Sequence, residues 1–266
     1  MTLGLVLSEG REAEMARLAE AHGLFGVLAG SANPLTAVSS AVYASTATDL
    51  VRVIARVQLG LEHPVTMAEE LGVLDNVNNG RTVILADTGQ LDAADAAEEV
   101  EVLRAALSNR PLQHDGRKWK VPAGLPANAT APKSIAVTPK PAQLEIPFWL
   151  TGARAREANE SLRLPVVARE PSSVSNPGAV QPAITQIGGE LTQDRERVAA
   201  WVAAGVTHLL IELPRDGDDA ALMTMISRHL APEVAMPHFP RVMSQSRVPL
   251  AWPDSARRID SSDGHP

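Results

Sequence analysis

Residues 62–89 constrain the fold most, because a helix pattern and a buried-strand pattern stand there side by side. Pro64 fits the first turn of a helix, and Met67, Leu71 and Leu74 then recur at the spacing of one apolar helix face. The Asn-Gly pair at 79–80 is typical of a helix end, and residues 82–86 are a short apolar run between turn residues. A helix that leads directly into a buried strand predicts a parallel sheet.

The same alternation extends over most of the chain. Predicted strands cover residues 3–7, 24–29, 50–59, 82–86, 147–151, 165–168, 183–187 and 206–213. Predicted helices cover residues 9–22, 34–45, 64–78, 91–109, 153–162, 192–204 and 220–230. No helix is predicted between the sixth and seventh strands. This pattern predicts an α/β fold, a TIM-type (β/α)8 barrel that is shortened or irregular around strands 6–7.

Two segments depart from this alternation. Residues 110–146 are rich in proline and lack helical periodicity, which predicts an insertion after helix 4, either cover for a site or a small hairpin. Residues 233–266 are Pro/Ser-rich and charged, which predicts a tail that is partly extended or disordered. We therefore expect one barrel domain over residues 1–232.

Charge and composition exclude several classes of function. A net charge of −7 without a basic cluster argues against a nucleic-acid partner. The chain has no cysteine, which excludes disulfides and thiolate chemistry, and its His and acidic residues lack metal-ligand spacing. No apolar stretch approaches the roughly 20 residues of a membrane span, and the N-terminus does not resemble a signal peptide. We expect a cytoplasmic protein that binds neither membranes nor metals.

The central unit carries motifs that resemble those of luciferase-like flavin monooxygenases, the superfamily of bacterial luciferase and deazaflavin oxidoreductases. His-Pro-Val at 63–65, Ala-Glu-Glu at 68–70, Leu-Asp at 74–75 and Asn-Gly-Arg at 79–81 are similar to the HPV…AEE…LD…(S/N)GR signature of that family. Residues 111–117, 139–149 and 198–210 are similar to its insertion, its fifth strand and its closing helix and strand. The resemblance identifies a shortened member and implies a TIM-type barrel with reduced FMN, or a deazaflavin, at the C-terminal mouth.

The resemblance also assigns cofactor contacts to the ends of three strands. A non-prolyl cis bond of the family's third strand maps to Ile54-Ala55, and its phosphate grip after the fourth strand maps to Thr88 and Gly89. The turn Thr151-Gly152-Ala153 opens a helix whose free N–H groups suit a phosphate, although a plain tight turn is an equal alternative. No catalytic residue is assigned.

Two residues at this expected phosphate place, Asp87 and Thr88, depart from the family pattern. Relatives often carry an Arg where this chain has Thr88, and Asp87 brings a carboxylate next to it. Like charge weakens anion binding unless Arg154 and Arg156 compensate.

Three functions follow from the resemblance. The first is an FMNH2-dependent monooxygenase or oxidoreductase that acts on a small organic or natural-product-like substrate, with a separate flavin reductase as a candidate partner. The second is a deazaflavin-dependent oxidoreductase. The third is a degenerate, non-catalytic subunit without cofactor that stabilises a catalytic partner. In each case the family implies a homo- or heterodimer through the helices near 34–45 and 64–78, where four small residues would permit close helix approach: Ala37, Ser40, Ala41 and Ala44.

Structural roles are predicted for most other conspicuous polar residues. His63 is expected to cap the helix that starts at Pro64. Asp75, Asn79 and Arg81 are expected to be structural: a turn, a helix C-cap and an ion pair at the bottom of the barrel. His208 is expected to be a satisfied core histidine.

Overall fold

The computed structural model describes residues 1–30, 33–123, 132–174, 180–214 and 217–230. The first half alternates strictly: β1 (Thr2–Val6), α1 (Glu12–Ala21), β2 (Gly26–Ala29), α2 (Ala37–Thr46), β3 (Arg52–Gln58), α3 (Pro64–Val77), β4 (Thr82–Asp87) and α4 (Ala93–Leu107). The second half contains β5 (His114–Asp115), β6 (Lys120–Val121), β7 (Phe148–Thr151), α5 (Ala155–Leu162), β8 (Pro182–Gln186), α6 (Leu191–Ala203), β9 (His208–Glu212) and α7 (Asp219–Met225). The predicted tail at 233–266 lies outside the described residues.

Seven strands form one parallel sheet in the order β7-β4-β3-β2-β1-β9-β8. Residues 165–168, here called the bridging segment, connect the two outer strands. Leu150 N–H donates to Pro165 at 2.7 Å and its carbonyl accepts from Val167, while Ala168 exchanges two hydrogen bonds with β8. The sheet is therefore curled on itself, as in a shortened TIM-type barrel, which confirms the predicted fold class.

The bridging segment corrects the regular sixth strand predicted at 165–168. It makes only isolated parallel bridges, Leu150 with Val166 and Ala168 with Ala183. Proline at 165 and at 182 removes an N–H on each side, so a continuous ladder does not form. The segment between 168 and 182 contains a short 3-10 helix, Pro171–Ser173, and no α-helix among its described residues, in agreement with the predicted irregularity.

Apolar side chains from the seven strands and from the bridging segment, which takes the eighth strand position, fill the barrel interior. Val167 of the bridging segment belongs to this cluster together with Val6, Leu28, Ile54, Val83, Leu85, Trp149, Ile184 and Leu210. A second, larger apolar cluster lies between the outer face of the sheet and the helices. The interior is thus a packed core that leaves space for a ligand only above it, at the ends of the strands.

The signature motif of residues 63–81 proves to be structural. His63 Nδ1 accepts from Val65 N–H at 3.2 Å, which confirms the predicted helix cap. Asp75 accepts hydrogen bonds from Gln143, through both its backbone and side-chain N–H groups. Arg81 donates to backbone carbonyls, two of which lie at 2.6 and 2.7 Å, on Val51 and Thr48. Carbonyl oxygens thus bind the guanidinium directly, and the nearby carboxylates of Glu20 and Asp49 attract it electrostatically.

The insertion contains the predicted hairpin, formed by β5 and β6. Its turn lies on α4, where the Glu98 carboxylate accepts backbone N–H groups of Arg117, Lys118 and Trp119. Trp119 contacts the His63 ring edge-on, with 4.6 Å between ring centres. The hairpin thus joins the N-terminal parts of α3 and α4 on the mouth side of the barrel.

Candidate active site at the barrel mouth

A ring of polar side chains follows the inner apolar layer at the C-terminal ends of the strands. Positions two residues beyond that layer lie on the same face of each strand, because successive side chains alternate. We call these residues the mouth ring: Arg56 on β3, Asp87 on β4, Thr151 on β7, Arg169 after the bridging segment, Gln186 on β8 and Glu212 on β9.

Arg56 and Asp87 form an ion pair within the mouth ring. Arg56 Nη2 lies 2.6 Å from Asp87 Oδ2, and Arg56 Nε donates to the same oxygen at 3.1 Å. The two side chains are 24% and 12% exposed, so solvent screens this pair less than a surface pair. The other carboxylate oxygen of Asp87 accepts the N–H of Gly89 at 3.0 Å. Asp87 is therefore held from two sides in the mouth.

The predicted phosphate residues lie at this place, directly after β4, but their backbone N–H groups are already used. Thr88 is fully buried, its N–H donates to Thr151 at 3.0 Å, and its hydroxyl accepts the N–H of Arg154 at 3.3 Å. The N–H of Gly89 is bound to Asp87. A phosphate would have to displace a carboxylate that carries its own negative charge.

The turn at 151–153 packs against the same two residues. Thr151 is buried, whereas Gly152 and Ala153 are exposed. Gly152 has φ of 104°, and a Cβ there would collide with the side chains of Thr88 and Asp87. Only glycine allows this close approach. The turn therefore closes onto β4 instead of leaving an open cradle.

The two arginines expected to compensate for Asp87 have other partners. Arg154 Nη1 pairs with Glu157 at 3.0 Å, and Arg156 Nη2 donates to the Ser173 carbonyl at 2.8 Å. With these contacts, the residues at the ends of β4 and β7 do not fit the phosphate of FMN or of a deazaflavin.

The carboxylate of Asp194 accepts a second set of converging backbone N–H groups. It is fully buried on α6 and accepts the N–H groups of Gly188 and Gly189 at 3.0 and 2.9 Å. Arg197 Nη1 lies 3.0 Å from the same carboxylate. This loop follows the seventh strand position of the barrel, and TIM-type barrels frequently bind phosphate in the loops after strands 7 and 8.

Beside Gly188 and Arg197, the partners of Asp194, a cavity of about 470 Å³ opens above β8 and β9. Its walls include Arg169, Gln186 and Glu212 of the mouth ring, together with Ile184 of the inner core. Gln186 Nε2 donates to Glu212 Oε2 at 3.2 Å. Ligand sites commonly have volumes of about 300–1,000 Å³ with a few polar groups on apolar walls, and this cavity matches that description.

Two residues predicted to contact the cofactor lie away from the mouth. Ile54 belongs to the inner core and Ala55 to the layer under the helices, and both are fully buried. The expected cis bond between them is absent, since the cis bonds of the described residues precede Pro122 and Pro139. Their assignment to the cofactor stays a prediction.

Sequence reasoning missed Arg56 and Asp194. A signal for Arg56 was present, because Arg52, Ile54 and Arg56 alternate with Val53, Ala55 and Val57 along one strand. Alternation alone places Arg56 on the inner face. For Asp194 the pattern gives no comparable signal, since its partners belong to a loop whose shape the sequence does not specify.

A second surface feature lies on the outside of α2 and α3. Of nine exposed large apolar residues among those described, six lie on or beside these helices: Leu35, Tyr43, Leu50, Leu61, Val73 and Val77. A groove of about 390 Å³ runs between the two helices. We call this surface the α2–α3 face; clustered apolar exposure of this kind is typical of an interaction surface.

The small residues of α2 do not contribute to this face. Ala37, Ser40, Ala41 and Ala44 are buried on the opposite side of the helix, and Ser40 donates to Glu12 of α1 at 2.9 Å. The predicted close helix approach through them is therefore wrong. They allow α2 to pack closely on its own barrel.

The described residues contain neither a metal-binding cluster nor a membrane-spanning helix. No group of three or more His, Asp or Glu side chains is placed to hold a metal ion. Among the same residues, no helix combines the length and the apolar character needed to cross a bilayer.

Comparisons with known proteins agree with the barrel fold. A family model described as luciferase-like monooxygenase matches residues 8–163, more than half of the chain. Among solved structures, the monooxygenase RslO1 from Streptomyces bottropensis is similar over 88% of this chain and 100% of its own, with 15% identity and a TM-score of 0.66.

Two other solved structures are similar at comparable levels. They are the coenzyme F420-dependent tetrahydromethanopterin reductase from Methanopyrus kandleri (13% identity, 88% and 99% coverage, TM-score 0.62) and the EDTA monooxygenase from Chelativorans sp. BNC1 (10% identity, 94% and 99% coverage, TM-score 0.62). At these identities the likeness concerns the fold. The comparison with curated proteins found no match.

Proposed function

The chain belongs to the luciferase-like monooxygenase family, and on this premise we propose that it is an oxidoreductase that uses a flavin-type cofactor on a small organic substrate. Reduced FMN, supplied by a separate flavin reductase, is the first cofactor that the family offers, and its phosphate would have to lie away from the β4 and β7 places described above. A deazaflavin is the second, because structurally similar proteins include F420-dependent enzymes. The site of the reaction is the barrel mouth.

The mouth cavity is the observation that supports this proposal most directly. It is about 470 Å³, it lies at the C-terminal ends of β8 and β9, and it joins polar mouth-ring residues to the apolar inner core. Apolar side chains seal the barrel below it. A planar organic ring would therefore contact apolar wall on one side and hydrogen-bonding groups on the other.

The side chains of the mouth ring bind and orient; they do not supply redox chemistry. The ring consists of Arg, Asp, Thr, Gln and Glu, and the chain has no cysteine. None of these groups exchanges electrons with an organic substrate, so an oxidation at this site requires a bound cofactor. Since the phosphate places at β4 and β7 do not fit an anion, we assign no step to the phosphate-bearing cofactor.

Equilibrium binding of reduced flavins to the purified protein tests the proposal. We expect at least one of riboflavin, FMN and coenzyme F420, in reduced form and under anaerobic conditions, to bind with a Kd well below millimolar. A Kd above roughly 1 mM corresponds to only about 4 kcal/mol of association free energy. If all three ligands bind no better than that, the enzyme proposal is contradicted.

A second candidate function is that of a non-catalytic subunit that stabilises a catalytic partner. The α2–α3 face favours it, because the face combines exposed apolar residues with negative charge only. Glu62 and Glu70 line its groove, and burial together with the nearby Glu62 raises the pKa of Glu70. Residues 34–46 and 61–78 contain no Lys or Arg. In a symmetric homodimer the same face would meet itself, with like charges on both sides. A different subunit with Lys or Arg beside an apolar helix would complement it better.

Substitution of one apolar residue on this face should therefore disrupt association. We expect Val73→Glu to shift the protein from dimer to monomer in sedimentation velocity, or to release a co-purifying subunit. Val202→Glu on α6 is the matched control, since Val73 is 48% and Val202 is 45% exposed. Equal effects of both substitutions, or no effect of either, would contradict an interface at the α2–α3 face.

A further inference from the structure

We propose that the barrel mouth selects a phosphate-free ring ligand, of the riboflavin type, over its phosphorylated form, with Asp87 as the specificity-determining residue. The inference rests on the proposed function, because it concerns the ligand of the same mouth. It adds that the site distinguishes flavins without a phosphate group from flavins that carry one.

Asp87 lies where a phosphate group would find hydrogen-bond donors. Its carboxylate holds the N–H of Gly89 with one oxygen and Arg56 with the other. A backbone N–H next to a guanidinium is the combination that binds phosphate groups in proteins. Here a carboxylate of the chain itself occupies that combination, and Gly152 packs directly against it.

The same arrangement, a carboxylate bound to backbone N–H groups and an arginine, recurs at Asp194 on the opposite side of the mouth. Asp194 takes the N–H groups of Gly188 and Gly189 and pairs with Arg197. The two carboxylates lie on different elements, β4 and α6, and each has one arginine and at least one backbone N–H. Both convergent donor sets of the described mouth are therefore occupied by the protein's own anions.

The polar groups that a ligand can still contact line the cavity. The cavity above β8 and β9 has four large polar side chains in its lining: Arg169, Gln186, Arg197 and Glu212. Glu212 adds a negative charge that repels a phosphate. Arg197, the second cation of the lining, is paired with Asp194, and Arg169 is exposed on the rim, where a solvent-exposed cation binds an anion weakly. The amide of Gln186 both donates and accepts hydrogen bonds, which suits an uncharged ring with carbonyl and N–H groups.

Fluorescence titration with oxidised riboflavin and FMN tests the inference in the intact chain. We expect riboflavin to bind at least threefold more tightly than FMN. In Asp87→Asn the amide oxygen still accepts the N–H of Gly89, but one negative charge is lost beside Arg56. FMN affinity should then rise about tenfold while riboflavin affinity changes less than threefold.

Glu145→Gln is the matched control, since it removes the same charge from an exposed pair with Arg104 outside the mouth ring. A ratio of FMN to riboflavin affinity that changes as much in Glu145→Gln as in Asp87→Asn would overturn the role of Asp87. FMN binding tenfold more tightly than riboflavin in the unmodified chain would overturn the inference even if Asp87→Asn does not fold.

If neither oxidised flavin binds, the inference needs a separate readout, while the proposed function is judged by the three reduced ligands, coenzyme F420 among them. Thermal stabilisation by millimolar pyrophosphate, measured on the unmodified chain and on Asp87→Asn, then decides the inference. Stabilisation of the variant alone would support phosphate exclusion. Equal stabilisation of both proteins, or of neither, would overturn it.

Discussion

Replacement of Arg81 by alanine is expected to lower the free energy of unfolding by at least about 3 kcal/mol, because several buried acceptors would lose their donor together. Arg81 is 3% exposed, and its guanidinium donates to the carbonyls of Ser45, Thr48, Val51 and Asn78. These carbonyls belong to the end of α2, the approach to β3 and the end of α3. Chemical denaturation followed by circular dichroism measures the change.

Two further substitutions separate charge from geometry at this position. Arg81→Lys keeps the charge but lacks the planar fork that reaches several carbonyls at once, so we expect an intermediate loss. Arg104→Ala is the surface control, since its pair with Glu145 is exposed on both sides and should change stability by less than about 0.5 kcal/mol. A loss in Arg81→Ala no larger than that in Arg104→Ala would show that the carbonyl contacts do not stabilise the fold.

The Arg81 contacts also explain why the central motif predicts the fold better than it predicts the chemistry. Asn79 and Gly80 both have positive φ, 56° and 78°, and end α3 so that Arg81 enters the barrel base. The motif therefore specifies a helix end and an anchor for neighbouring elements. These roles depend on local backbone geometry, which a sequence pattern represents well.

The remaining barrel elements were predictable where periodicity was strong. The pattern placed the strands of the first half within a few residues, because each carries a buried apolar run followed by a clear helix. The bridging segment at 165–168 looked like a regular strand, since Val166 and Val167 favour strands. Its reduction to isolated bridges depends on Pro182, which is distant in sequence and pairs with it only in three dimensions.

The mouth was less predictable, because its contacts join residues far apart in the chain. Asp87 was identified as a departure beside the expected phosphate place, but its partner Arg56 lies 31 positions earlier. Whether a carboxylate repels a ligand or is held by an arginine depends on that partner. In the structure, Arg56 and Asp87 form an ion pair. Arg154 and Arg156, which were expected to offset the charge of Asp87, contact Glu157 and Ser173 instead.

Acidification is expected to destabilise the protein through His208, whose ring lies inside the base of the barrel. The ring packs edge-on against Phe25 and Trp149, with 4.7 and 5.5 Å between ring centres. Burial, and after it the positive charges of the amino terminus and Arg52, lower the pKa of His208 from 6.5 to about 4. His208 is half-buried, and its Nδ1 lies 2.8 Å from Thr207 Oγ1, so the ring has the hydrogen-bond partner that the sequence-based expectation of a satisfied histidine requires.

The sign of the effect follows from proton binding in the two states. Between pH 6.5 and 4 the unfolded chain binds a proton at His208 that the folded chain does not bind, so stability falls as the pH is lowered. The two pKa values correspond to a loss of roughly 2 kcal/mol between pH 7 and pH 5 from this residue alone.

Comparison of the native protein with His208→Gln isolates this contribution from that of the carboxylates. We expect the unfolding free energy of His208→Gln to decline by about 2 kcal/mol less than that of the native protein between pH 7 and pH 5. His229→Gln is the control, because His229 is exposed and its replacement should leave the pH dependence unchanged. Parallel declines in the native protein and His208→Gln would mean that the ring is accessible to protons in the folded state. The barrel base would then be open to water, contrary to the packing of Phe25 and Trp149 around it.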